Sequence, residues 1–338
     1  MKAVVFLGQK RLEFMEYPDP TPGPDEVVVK IRASGMCGSD LHDYRGPELS
    51  QLHIAGHEPC GELVELGGGV RGFSIGDRVM VHHYDGCHTC EYCLGGWTQM
   101  CEETAIVFGG HNGDGAHARY MKVPAHTLVR LPDSLSFKAG AAVSCGTGTA
   151  YGALQRLELK GDETLAVFGQ GPVGLSATLL GHAMGARVVA IDVQNDRLEL
   201  AKHFGADLIV NPAKEDAVKA IREFTAGKGA QKSMDCSSNS QARIDSVRCL
   251  KKWGTSCLVG VHGDMNINVN SLIFKQTRLI GSWTFSKQQQ LACAEFIASR
   301  RLDVDRIFSH EFALEQAVDA YRLFDAQEMM GKGVFTSD

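Results

Sequence analysis

Four cysteines of the 338-residue chain cluster between positions 87 and 101, among turn-forming glycines. Four thiolates can enclose one tetrahedral zinc ion and leave no position for water or substrate, as in a structural zinc site. Two disulfides or an iron–sulfur cluster are the alternatives, and a reducing compartment disfavours the disulfides. The spacing therefore favours structural zinc. The predicted ligands are Cys87, Cys90, Cys93 and Cys101.

A second set of potential metal ligands is spread along the chain. Cys37 and Cys145 are thiols far apart in sequence, and His57 follows Gly56. Thiolate and imidazole groups suit zinc. Each residue also has an ordinary explanation, because small buried cysteines and hydrogen-bonded core histidines are common. Spacing alone leaves both interpretations open.

A glycine-rich turn, Gly-Gln-Gly-Pro-Val-Gly, follows the apolar run 165–168 and opens a helical pattern. Such a turn lets a pyrophosphate approach the backbone at a positive helix N-terminus. Asp192 ends the next strand, where a carboxylate would bind ribose hydroxyls and repel a 2′-phosphate, so NAD is favoured over NADP. An ordinary strand–turn–helix joint is the alternative. The predicted cofactor contacts are Gly169, Gly171, Pro172, Val173, Gly174, Asp192, Arg197 and Val261.

The elements around these residues predict two domains. Short β-type runs separated by turns fill the first third, whereas strands and helices alternate from about residue 164, as in a parallel sheet covered on both faces. Apolar residues are 44% and charged residues 22%, values typical of a globular chain. The net charge of −6, without charge blocks, gives no indication of nucleic-acid binding. The absence of a long apolar run or a signal-like N-terminus predicts a cytoplasmic protein with no membrane partner.

Together these motifs resemble the zinc-dependent medium-chain alcohol dehydrogenase family over essentially the whole chain. The most specific stretch is Gly56-His57-Glu58 with its following glycines, joined by the four-cysteine lobe and the glycine-rich turn in family order. The resemblance implies an α/β protein: a GroES-like β-barrel catalytic domain, residues 1–146 and 285–338, with the zinc lobe 86–101, and a doubly wound Rossmann domain, residues 147–284. It also implies a homo-oligomer, dimer or tetramer.

The resemblance also implies roles for individual residues. Two zinc ions per chain and NAD would serve the reversible oxidation of an alcohol to a ketone or aldehyde. An open Cys2His site lowers the pKa of a bound alcohol, and the nicotinamide accepts the hydride. The matched positions are Cys37, His57 and Cys145 as catalytic zinc ligands, Glu58 beside the metal, Asp40 as partner of the ligand histidine, Ser39 and His42 as proton relay, and Lys332 as a pyrophosphate contact.

Several positions depart from the family pattern. Cys145 stands where polyol dehydrogenases often have glutamate, and His117 and Arg119 replace an aromatic and an acidic residue. His83 replaces an aromatic pocket residue, and with His53 and Tyr44 nearby it indicates a polar pocket, for a polar secondary alcohol, a polyol or an amino alcohol. The alternative is that these histidines are surface or strand residues. Alternative functions are a quinone or enone reductase of the same superfamily and a non-catalytic NAD-binding protein.

Overall fold

The computed structural model describes residues 1–110 and 112–337. The chain divides into two compact units, residues 1–148 with 286–338 and residues 149–285. The predicted domain limits, at 146/147 and 284/285, lie within two residues of this division. The first unit is therefore discontinuous in sequence, and the tail segment completes it.

The first unit is built on a seven-stranded, mainly antiparallel sheet. Alternate residues of its longest strand, among them Val27, Val29 and Ile31, are β-branched and buried in a core cluster, which is the pattern of a strand with one face on the core. In spatial order the strands are Phe308–Phe312, Lys332–Thr336, Glu26–Gly35, Glu58–Leu66, Arg78–Val81 and Leu128–Arg130, and Tyr120–Pro124 also pairs with Glu26–Gly35. Two-strand sheets join Lys2–Gly8 to Arg11–Glu16 and Tyr84–Asp85 to Ile106–Val107.

Helices cover this sheet and form a second core cluster. The Ser136 hydroxyl caps the helix Phe137–Val143 by accepting from the Ala139 N–H. Buried rings of Phe6, Tyr44 and Tyr321 pack the C-terminal helix against the N-terminal hairpin. The other helices are Asp40–Arg45, Glu91–Leu94, Lys287–Arg300 and Ala317–Asp325, with 3₁₀ turns at Thr98–Met100, Ala125–Thr127, Val304–Ile307 and Leu314–Gln316.

The second unit is a six-stranded parallel sheet with helices between its strands. Numbered along the chain, the strands lie in the order 3-2-1-4-5-6, which is the doubly wound Rossmann arrangement expected from the sequence. The strands in spatial order are Leu208–Val210, Arg187–Ile191, Thr164–Phe168, Ala230–Asp235, Leu250–Leu258 and Arg278–Gly281. The helices are Gly146–Arg156, which contains the unit boundary, Pro172–Ala183, Asn195–His203, Ala217–Phe224, Ser240–Arg248 and Val269–Ile273. Among the described residues, no helix is both long and apolar enough to cross a membrane.

Candidate functional site

The first unit brings the scattered thiols and the histidine together. The sulfur atoms of Cys37 and Cys145 lie 3.9 Å apart, and with His57 and Glu58 they offer ligand atoms that all lie within 4.8 Å of one another. Two thiolates bound at about 2.3 Å to a tetrahedral zinc ion are roughly 3.8 Å apart, whereas disulfide sulfurs are about 2.05 Å apart. The donor set and its spacing therefore fit a catalytic zinc ion.

Strand pairing explains why these ligands meet. Gly35 at the end of one strand pairs with Glu58 at the start of its antiparallel neighbour, so Cys37 and His57 emerge side by side. Gly56 precedes the ligand histidine with φ at +89°. A Cβ added there would lie 2.2 Å from Nδ1 of His117. Only glycine fits this bend.

Asp40 orients the ligand histidine. Its Oδ1 lies 2.8 Å from Nδ1 of His57, which leaves Nε2 of the ring available to bind a metal ion. Its Oδ2 accepts from the backbone N–H of Cys37 at 2.8 Å and from the hydroxyl of Tyr321 at 3.0 Å. The carboxylate is thus held by three donors and positions two of the candidate zinc ligands, His57 and Cys37, at once.

A buried chain of hydrogen bonds continues behind Asp40. Nε2 of His117 lies 2.8 Å from the Tyr321 hydroxyl, and its Nδ1 lies 2.7 Å from Oγ of Ser34. Burial lowers the pKa of His117 to about 4, so the ring is neutral and adds no charge. Because the Tyr321 hydroxyl donates to Asp40, Nε2–H of His117 donates to Tyr321, and Ser34 donates to Nδ1. All three hydrogen bonds therefore donate in the same direction, from Ser34 towards the Asp40 carboxylate.

Glu58 and Lys332 form a buried ion pair beside the ligands. Nζ of Lys332 lies 2.6 Å from Oε1 of Glu58 and donates to the Met36 carbonyl at 2.9 Å. Burial opposes the charge of Lys332, but Glu58 and the thiolates outweigh it and raise the pKa of the lysine. The prediction that Lys332 contacts the pyrophosphate is wrong, because its ammonium is buried and engaged here. Oε2 of Glu58 is buried without a hydrogen-bond partner in the described residues, as suits an oxygen close to a metal site.

The two residues predicted to form a proton relay lie at the start of the helix Asp40–Arg45. Oγ of Ser39, an exposed residue, is 3.3 Å from both Sγ of Cys37 and Nε2 of His57, so its hydroxyl stands at the ligand cluster. His42 donates its backbone N–H to the Ser39 carbonyl at 3.0 Å. Its side chain is 70% exposed, with Nδ1 3.3 Å from Oδ1 of Asp43. One end of the pair thus faces the site and the other faces solvent.

The three residues predicted for the pocket differ in placement. The ring centroid of His83 is 5.0 Å from that of His57, and Nδ1 of His83 lies 2.9 Å from the Ser144 carbonyl oxygen. Nε2 of His53, a buried residue, is 3.7 Å from Oδ2 of Asp43. Tyr44 is a core residue, with its ring centroid 5.5 Å from that of Tyr321. Its assignment to the pocket is wrong, because aromatic packing buries the ring.

The four clustered cysteines form a second candidate metal centre. Their sulfur atoms all lie within 4.8 Å of one another, and all eleven cysteines of the chain are free. Hydrogen bonds from the Thr89 hydroxyl and from backbone N–H groups lower the pKa of Cys87 to about 6. Backbone N–H groups also donate to the sulfur of Cys101, from Cys87 at 3.3 Å and from Thr104 at 3.4 Å. These donors stabilise thiolates, as a closed zinc site requires.

The glycine-rich turn lies at the carboxyl end of the central parallel strand, where doubly wound folds bind dinucleotides. A Cβ at Gly174 would lie 1.8 Å from the Gly169 carbonyl oxygen, so helix and turn pack closely. A Cβ at Gly171 would meet nothing within 4 Å, which leaves room for a ligand. Pro172 occupies the first turn of the helix, followed by half-buried Val173.

Asp192 faces the same turn. Its Oδ2 accepts from the Gln170 N–H at 2.7 Å and its Oδ1 accepts from the Gln194 N–H at 2.9 Å. A guanidinium nitrogen of Arg197 lies 4.0 Å from Oδ2. Val261 is 56% exposed and follows the strand Leu250–Leu258, at the same carboxyl edge of the sheet. The acid, the cation and the apolar side chain are thus available around the turn.

Sequence reasoning missed three partners of these sites. No sequence motif pointed to Tyr321, which lies 281 residues from Asp40. His117 stood out only as a departure from the family pattern, and Lys332 received a different role. Each acts through a contact between distant segments.

Comparison with known proteins matches both units. Residues 23–133 match the alcohol dehydrogenase GroES-like domain, and residues 172–299 match the zinc-binding dehydrogenase domain. The zinc-type alcohol dehydrogenase-like protein YphC of Escherichia coli is 37% identical, over 96% of this chain and 95% of its own length. Sorbitol dehydrogenase of Bacillus subtilis is 30% identical, over 95% and 92%. Among solved structures, alcohol dehydrogenase TADH from Thermus sp. ATN1 superposes with a TM-score of 0.93 at 30% identity, covering 99% of each chain.

Proposed function

Because the chain belongs to the zinc-dependent medium-chain alcohol dehydrogenase family, we propose that it oxidises a polar secondary alcohol, polyol or amino alcohol reversibly with NAD. The observation that carries the proposal is the cluster of Cys37, His57 and Cys145, with its sulfur atoms 3.9 Å apart. Three protein ligands leave a fourth position for substrate, as catalytic zinc sites do. Glu58, the fourth group of the cluster, is paired with Lys332 through Oε1, and we infer that it leaves this position to the substrate.

The side chains of this site orient the reactants and move a proton. Zinc, when bound, polarises the substrate hydroxyl and lowers its pKa, and the nicotinamide accepts the hydride. Asp40 holds His57 in the tautomer that presents Nε2. Oγ of Ser39 accepts the proton from the substrate hydroxyl as its own hydroxyl proton moves on, and exposed His42 passes a proton to solvent. Lys332 balances the charge of Glu58 where both side chains are buried beside the ligands.

Asp192 supports NAD as the cofactor. A carboxylate at this position binds ribose hydroxyls and repels a 2′-phosphate. Arg197 lies 4.0 Å away and is paired with that carboxylate, so its charge is largely matched. Both features favour the cofactor that lacks the phosphate.

The polar character of the substrate is proposed from the imidazoles around the ligands. His83 lies beside His57, and burial lowers its pKa, so it is a neutral hydrogen-bonding group. The similarity to a sorbitol dehydrogenase agrees with a hydroxylated substrate, although this chain has Cys145 where polyol dehydrogenases often have glutamate. We expect the enzyme to assemble as a homodimer or homotetramer, which light scattering will establish.

Metal counting with matched variants tests the proposal. We expect the purified protein to hold two zinc ions per chain and to reduce NAD with members of a panel of polyols, amino alcohols and secondary alcohols. Cys145→Ser should hold one zinc ion and lose turnover while its far-UV circular dichroism stays unchanged. Cys236→Ser is the control, since this half-buried thiol belongs to neither cluster, and it should keep both ions and activity. Two zinc ions and full turnover in Cys145→Ser would refute the assignment.

A further inference from the structure

A third group of metal-ligating side chains lies outside both cysteine-containing clusters. Asp85, His88 and His126 offer ligand atoms that lie within 4.8 Å of one another. Nε2 of His88 is 2.6 Å from Oδ1 of Asp85, and Nε2 of His126 is 2.9 Å from the same oxygen. The two imidazole rings meet edge to face, with centroids 4.3 Å apart. Two imidazole nitrogens thus converge on one carboxylate oxygen.

Three separate segments build this convergence. Asp85 ends the strand Tyr84–Asp85, and His126 lies in the 3₁₀ turn Ala125–Thr127. His88 adopts φ of +59° in the cysteine-rich loop, a left-handed conformation that costs a non-glycine residue about 1 kcal/mol or more. The Gly86 N–H fixes Oδ1 of Asp85 at 2.8 Å. The backbone therefore constrains Asp85 and His88, and His126 approaches them from a separate segment.

The burial of the group suits an ion that enters from solvent. The carboxylate side chain is 8% exposed, whereas the side chains of His88 and His126 are 46% and 47% exposed. The buried Asp85 carboxylate supplies negative charge at the bottom of the group, and the two half-exposed imidazoles lie between it and the solvent. Water can fill the remaining coordination positions.

We propose that Asp85, His88 and His126 form a third metal site, which binds a divalent transition ion, with Zn²⁺ as the occupant. Imidazole and carboxylate ligands suit Zn²⁺, Co²⁺, Ni²⁺ and Cu²⁺, whereas Mg²⁺ and Ca²⁺ require oxygen ligands. Ligands about 2.0–2.1 Å from a tetrahedral ion are roughly 3.3 Å apart. The observed separations of 2.6 and 2.9 Å need to open by less than about 1 Å.

The site would act on the cysteine lobe and not on the reaction. Asp85 and His88 flank Cys87, whereas His126 belongs to the turn before the strand Leu128–Arg130 of the main sheet. An ion shared by the three would therefore tie the lobe to the sheet. Its ligands include no thiolate of the four-cysteine cluster, so both ions can be bound together.

Equilibrium dialysis of the holoenzyme against Zn²⁺, followed by metal counting, tests this site. We expect a third equivalent, and Cu²⁺ bound in its place should show electron-spin coupling to two imidazole nitrogens. The double variant His88→Gln/His126→Gln should weaken binding of the third equivalent at least about tenfold, since it loses two of three ligands. It should keep two zinc ions and full turnover.

The control is His203→Gln/His262→Gln, which removes two exposed histidines of the second unit and should leave the third equivalent in place. Added Zn²⁺ should also raise the unfolding temperature of the wild type and the control but not of the double variant. A wild type that binds only two ions, or a double variant that binds the third as tightly, would show that the triad is a hydrogen-bonded cluster without a metal.

Discussion

Replacing Tyr321 by phenylalanine measures what one hydroxyl contributes to stability and to zinc affinity. The ring is fully buried and packs 4.9 Å, centroid to centroid, from Phe6, so Tyr321→Phe keeps the packing and creates almost no cavity. It removes the donor to Oδ2 of Asp40 and the acceptor for Nε2–H of His117. Both partners remain buried, with Asp40 4% and His117 0% exposed.

The expected loss follows from these two contacts. A hydrogen bond to a charged group contributes about 1.5–3 kcal/mol, and a neutral one about 1 kcal/mol. Because water cannot reach the groups left behind, we expect the free energy of unfolding to fall by about 3 kcal/mol. Asp40 keeps two of its three donors, and changes one step behind a metal ligand cost about 10–100-fold in metal affinity. Tyr321 lies a step further back, so catalytic zinc should bind roughly tenfold more weakly.

Two measurements separate these effects. Urea denaturation of the zinc-loaded protein gives the unfolding free energy, and competition with a chromogenic chelator gives the affinity of each zinc ion. The four-cysteine site is an internal control, since it shares no hydrogen bond with Tyr321. Tyr44→Phe is the matched variant: it removes the same atom from the adjacent ring, whose hydroxyl makes no hydrogen bond within the described part of the chain.

The reasoning fails if Tyr321→Phe behaves like Tyr44→Phe in both measurements. It also fails if the two zinc ions weaken equally, because that result would indicate a general loss of stability. A selective loss of the catalytic zinc would support a positioning role for the buried series of hydrogen bonds from Ser34 to Asp40.

Two further perturbations test the cofactor turn and a buried histidine. In steady-state assays, Asp192→Ala should raise the KM for NAD at least about tenfold, since hydrogen bonds to a charged group contribute about 1.5–3 kcal/mol each. It should also raise activity with NADP relative to NAD, because Arg197 loses its counter-ion. The control Asp196→Ala, at an exposed neighbouring position, should change neither quantity. Burial lowers the pKa of His82 from 6.5 to about 4, so the unfolded chain binds more protons between these values and stability falls as the pH falls. His82 should account for about 2.5 kcal/mol of lost stability by about pH 4.5, and denaturation of His82→Gln should show an acid loss smaller by that amount; equal losses would contradict the buried, neutral state.

Local spacing made part of this molecule predictable. The cysteines between 87 and 101 and the turn Gly169–Gly174 are each formed within one short segment, so their residue types alone indicate the ligand. The strand–helix alternation likewise predicted the parallel sheet. The start of the helix Lys287–Arg300 is likewise encoded locally, because Ser286 and Gln289 form a capping box there.

Contacts between distant segments were not predictable from the residues alone. Cys37 and Cys145 are 108 positions apart, and only the family resemblance joined them. Lys332 was misassigned because a lysine near glycines resembles a phosphate contact, whereas the register of its strand buries it against Glu58, 274 positions away. Tyr44 was misassigned because a tyrosine near the ligands resembles a pocket residue, although its ring fills the core.

The position of the strand Lys332–Thr336 has a consequence for the synthesis of the protein. This strand pairs with Glu26–Gly35, and its lysine neutralises Glu58 within the ligand cluster. A nascent chain that already contains Cys37, His57 and Cys145 still lacks this ammonium and the hydroxyl of Tyr321. Glu58 then lacks its ammonium partner and Asp40 lacks one of its three donors, so the buried form of the cluster is less stable. The candidate metal centre can therefore be completed only after the segment from Tyr321 to Lys332 has been synthesised, and a chain that ends before this segment should retain zinc at the cluster poorly.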